Sequence, residues 1–124
     1  MTIKASTGLR NSMLVTGSLR SLLNGGRINI YAGAAPATAD ANLGGATLLC
    51  AVTVNSTGTG INFDTAASGG VLQKAPGEVW SGVNVATGVA SFYRHVAAGD
   101  AGDASTTVQV SSRPMEISPP DGTM

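Results

Sequence analysis

The chain has one cysteine, one histidine, one tryptophan and two glutamates among 124 residues. Cys50 alone forms no internal disulfide and no cysteine-based zinc site. Inside the apolar run ATLLCAVTV it is expected to behave as a small buried hydrophobe. Charged residues make up 11%, against roughly 25% in an ordinary soluble domain. Seven basic and seven acidic side chains cancel, and no basic cluster occurs, which argues against nucleic acid as a partner. There is no run of about 18 apolar residues, so no membrane-spanning helix is expected. The opening MTIKASTGLRNSMLVTG lacks the unbroken apolar core of a secretory leader.

What fills the space is small. Alanine, glycine, threonine and serine together account for 60 of the 124 residues, and only 4% are aromatic. Small side chains remove little apolar area from water, so the core is expected to be shallow. A domain with near-zero net charge and so few charges tends to associate. The composition therefore points to a chain covered by neighbours in an assembly, including a second copy of itself.

The first 26 residues differ from the rest. Leu9, Met13 and Leu14, then Leu19, Leu22 and Leu23, recur near helical spacing. Gly17 is expected to divide two short helices, Ser18 to cap the second, and Asn24-Gly25-Gly26 to stop it. From Arg27 to residue 112 short strand patterns alternate with turn signals. RINIYAG alternates Ile28 and Ile30 against Asn29 and Tyr31, and ATLLCAVTV suits a central strand covered on both faces. NSTGTG reads as a turn, INF and VLQKA as further short strands, and TTVQVSS as the last. GEVWSGV and GVASFYRHV are expected to pair as a hairpin about NVAT. Strands at spacings of roughly ten residues predict a mainly β fold, an antiparallel sandwich or barrel. Residues 113–124, with Pro114, Pro119 and Pro120, cannot form a central strand and read as an extended C-terminal arm.

Residues 79–96 hold the only tryptophan, the only histidine, one of two tyrosines and one of two phenylalanines. Alternation puts Phe92, Arg94 and Val96 on one face and Tyr93 and His95 on the other. Phe92 and Val96 are expected in the core, with Arg94 at the rim extending its charge to water or a partner. A histidine hydrolase needs a nucleophile and an orienting acid beside it. Here no G-x-S-x-G elbow occurs, and nothing marks a third member, so no catalytic residue is assigned. Asp100 and Asp103 in GDAGDAS lack the further carboxylates of a calcium loop, and no metal or cofactor is expected. The candidate functional residues are instead interface contacts: Trp80, Tyr93, Arg94 and His95, with Arg113, Pro114 and Pro119 of the arm.

The segments KASTGLRNSML, GSLRSLLNGGRINIYAG, PATADANLGGATLLC, GVLQKAPGEVWSG and ATGVASFYRHVAAGDAG resemble those of small structural proteins of tailed bacteriophages. The resemblance covers residues 3–107 and carries no chemical motif. It implies a capsid cement or decoration protein, a jelly-roll-like sandwich that bridges subunits of the major capsid protein on the virion surface. It also implies synthesis in the bacterial cytoplasm. This chain ends soon after STT, where such a protein would add strands. Either the sandwich closes with fewer, or a neighbouring chain completes it. A tail, baseplate or head-to-tail component is the alternative, and a carbohydrate-binding module with Trp80 and Tyr93 as a stacking platform is a third.

Overall fold

Two serines start the helices. Ser6 accepts a hydrogen bond from the Leu9 N–H at 3.1 Å and caps α1, Thr7–Val15. Ser18 and Ser21 form a reciprocal capping box at the start of α2, Leu19–Leu23. Each cap satisfies backbone N–H groups that a helix start leaves without partners. The chain then turns at Asn24, whose backbone is extended, and at Gly25, whose φ of 79° favours a residue without a Cβ. The computed structural model describes residues 2–100 and 109–113, the latter and residues 2–3 by their backbone.

The strands are β1 Thr2–Ala5, β2 Arg27–Ala32, β3 Thr47–Val54, β4 Trp80–Ser81, β5 Ala90–Val96 and β6 Gln109–Arg113. They join one antiparallel sheet in the order β1-β6-β5-β2-β3-β4. The fold is thus mainly β with two short helices, as expected. The helix positions, the break between them and the cap at Ser18 match as well. The segment of residues 1–26 is not wholly helical, however, because β1 precedes α1 and pairs with β6. The second sheet that a sandwich requires is not among the described residues. Residues 60–74 contribute isolated bridges, Gly26 with Ile61 and Phe63 with Lys74, in place of the strands expected at INF and VLQKA.

The hairpin expected within residues 79–96 does not form. β4 pairs with β3, Val54 opposite Trp80, while both edges of β5 are occupied by β2 and β6. A strand has two edges, so β5 has none left for β4. The core sits on both faces of the central strands. On one face Tyr31 stacks on Phe92 at 5.0 Å between ring centroids, with Asn29, Arg94 and Val96 buried alongside. On the other, Phe63 lies over His95 at 5.5 Å. β2 reverses the simple reading of its alternation: Asn29 and Tyr31 are the buried pair, whereas Ile28 and Ile30 are half-buried. The amide of Asn29 makes this tolerable, since its Oδ1 accepts from Arg27 Nε and its Nδ2 donates to the Tyr31 hydroxyl.

Candidate functional site

Arg94 is fully buried at 0% exposure, not at the rim. It shares the face of Phe92 and Val96 as alternation predicts, but the loop of residues 34–46 closes over it. Its guanidinium donates to the Ala41 carbonyl and lies close enough to Asp40 to favour that carboxylate's charge. Asp40 in turn accepts from the Thr7 hydroxyl at 2.6 Å and the Thr7 N–H at 2.7 Å. These two bonds, then the charges of Arg10 and Arg94, hold its carboxyl below the usual aspartate value. Asp40 thereby supplies the negative group that the first turn of α1 lacks in its own sequence. Arg94, Asp40 and Thr7 tie β5, the loop and α1 together. The partners that the three side chains find are groups of the same chain.

A second polar group clips the opposite face. The Glu78 carboxylate accepts from Asn62 N at 3.0 Å, Asn62 Nδ2 at 2.9 Å and Trp80 Nε1 at 2.9 Å. Those bonds, led by the Asn62 side chain, lower its pKa. Trp80 meets Phe63 edge-on at 5.8 Å. The four expected contact residues of the aromatic stretch therefore divide. Arg94 and His95 are buried inside the chain, and Trp80 and Tyr93 are half-buried. Arg113 ends β6 opposite Thr2, while Pro114 and Pro119 lie outside the described residues. Asp103 lies outside them too, and among the described residues no cluster of three metal-ligating side chains occurs.

The surface carries apolar residues that the sequence did not mark as contacts. Residues 79–93 include no charged side chain. Within that run Val83 and Val85 are each 69% exposed and Val89 86%. Beside them an open cleft of about 410 Å³ is lined by Leu49, Asn84, Val85, Ala86, Thr87 and Gly88. It is anchored to the sheet by the Val85 N–H, which donates to the Leu49 carbonyl at 2.7 Å. A second apolar area is the C-terminal turn of α1, where Leu14 is 83% and Val15 89% exposed. Single exposed aliphatics are ordinary, but grouped ones without intervening charge mark surfaces that partners cover. The charge-free run was the signal in the sequence for the first area. For the second it was the helical row from Leu9 to Met13, of which only Leu9 is buried.

Comparison with known proteins yields no match to a family model, a curated protein or a solved structure.

Proposed function

We propose that the chain is a non-enzymatic structural protein of a tailed-phage virion, a capsid cement that docks on the major capsid protein. The observation that carries the reading is the run of exposed valines at residues 83–89 within fifteen consecutive uncharged residues, 79–93. Such a surface gains free energy when a neighbour removes it from water, and offers little to a charged or small polar ligand. The phage resemblance of residues 3–107 gives the neighbour's kind. Repetition on a shell makes weak contacts sufficient, because many copies act together. Self-association as a two-fold dimer, with Trp80 and Tyr93 at its edge, would cover the same surface in the free protein. The short bridged segment of residues 59–74 is the candidate second layer of a jelly-roll-like sandwich.

Locating the protein in purified particles tests this reading. Cement predicts copies in proportion to the major capsid protein, distributed over the head. A ring-sized copy number at the neck or tail would assign it to the tail machinery instead. Absence from the particle would overturn both.

A further inference from the structure

His95 stands apart from the contacts described so far. It is 8% exposed, and its Nε2 is buried with no hydrogen-bond partner among the described residues. The segment of residues 60–64 forms a cover over it, with Phe63 set over the imidazole. Separate bonds hold the cover down. Gly25 N donates to the Ile61 carbonyl at 2.7 Å, Ile61 N to the Gly26 carbonyl at 2.9 Å, and Phe63 N to Asn24 Oδ1 at 2.8 Å. Asn62 is clipped to Glu78.

We infer that His95 is an acid-sensitive latch: charging its imidazole lifts the 60–64 cover from the sheet while the rest of the fold persists. A buried cation without a partner is costly, and the cover is the element whose opening returns the ring to water. Among the described residues no opposite charge acts on it. β2 presents Ile28 in register, β6 has Val110 in register, and the cover presents Phe63. Arg94 and Arg27 lie on the opposite face by alternation. Of the ionisable groups at the cover, Arg20 donates to the Asp64 carbonyl, Lys74 donates to the Glu78 carbonyl, and Glu78 is held by Asn62 and Trp80. Asp64 receives the Thr65 hydroxyl.

Burial pushes the His95 pKa down from 6.5 to about 4. The neutral form is therefore the one the closed state holds. Closure is fully favoured above pH 6.5 and weakens as the pH falls from 6.5 towards 4. Hydrogen bonds lower the Glu78 pKa from 4.5, so its carboxylate stays mainly charged at and above pH 4.5. From pH 7 to pH 4.5 the opening equilibrium is expected to grow on the order of 50-fold. Opening would uncover Ile61 and Phe63 as new apolar surface.

The chain carries its own reporters. Its single histidine gives one titrating imidazole signal in proton NMR, and its single tryptophan, Trp80, touches Phe63. The full chain should show an imidazole pKa well below 6, with a step in Trp80 fluorescence over the same pH interval and the far-UV circular dichroism of the sheet retained. His95→Phe should abolish that step, and His95→Gln, which also cannot titrate, should do the same if the bulkier ring fails to fold. Glu78→Gln should loosen the cover at every pH and leave the step. An imidazole titrating near 6.5, or an unchanged step in either His95 variant, would overturn the latch.

Discussion

Arg94→Ala removes the one charged side chain that is fully buried in the sheet among the described residues. Two side-chain methylenes, Cγ and Cδ, leave an apolar environment, at roughly 0.8 kcal/mol each. The charge-assisted hydrogen bond to the Ala41 carbonyl is lost as well, worth roughly 1.5–3 kcal/mol. Against these losses, the guanidinium no longer has to be stripped of water on folding. The net destabilisation should be roughly 2–3 kcal/mol, a substantial part of the roughly 5–15 kcal/mol of a typical domain. Arg94→Met keeps most of the packing and deletes the charge, and should cost about 1–2 kcal/mol. Urea unfolding followed by Trp80 fluorescence measures both, and hydrogen exchange of the 37–41 amides tests the location. An Arg94→Ala midpoint within about 0.5 kcal/mol of the parent would refute the assigned role of Arg94.

Gly60→Ala should destabilise strongly, because its Cβ would sit 1.9 Å from the Gly25 carbonyl oxygen. Gly45→Ala, with nothing within 4 Å and no positive φ, should be neutral or raise the melting temperature slightly. Asp40→Asn should fray α1, seen as faster exchange of its first-turn amides. The Asp40 pKa is lowered on folding, so its contribution is present above the ordinary value of 3.8 and fades as the pH falls through the lower folded value; that fading should be missing in Asp40→Asn.

How far the sequence reaches depends on the range of the interactions involved. The helices were legible because their signals are local: Ser18 as the cap, and Asn24-Gly25-Gly26 as the stop. β2, β3 and β6 were legible from apolar runs between turn residues. Strand pairing was not. Tyr31 meets Phe92 across sixty residues and Thr2 meets Arg113 across the chain, so no neighbouring pattern announces either. The adjacency of 79–81 and 90–96 in sequence suggested a hairpin that the prior claims of β2 and β6 exclude. The burial of Arg94 was missed for the same reason, since the loop that covers it is remote. One clue was present: Asp40 is the only acid before Asp64, and a buried arginine needs an acid or carbonyls nearby. Expected contacts among the aromatic residues drew on side-chain type, whereas the exposed surface consists of valines in a run with no charge.

The measurement closest to the central claim is co-sedimentation of the purified chain with phage heads stripped of it, beside a triple variant, Val83→Ser, Val85→Ser and Val89→Ser. These side chains are 69%, 69% and 86% exposed, so replacing them should leave the fold and its unfolding midpoint nearly unchanged. If docking buries them, each contributes about 1 kcal/mol, and the triple variant should bind roughly 100-fold more weakly. The account predicts saturable binding of the parent chain and that loss in the variant. Equal binding by both proteins, or none by the parent chain at micromolar concentration, would contradict it.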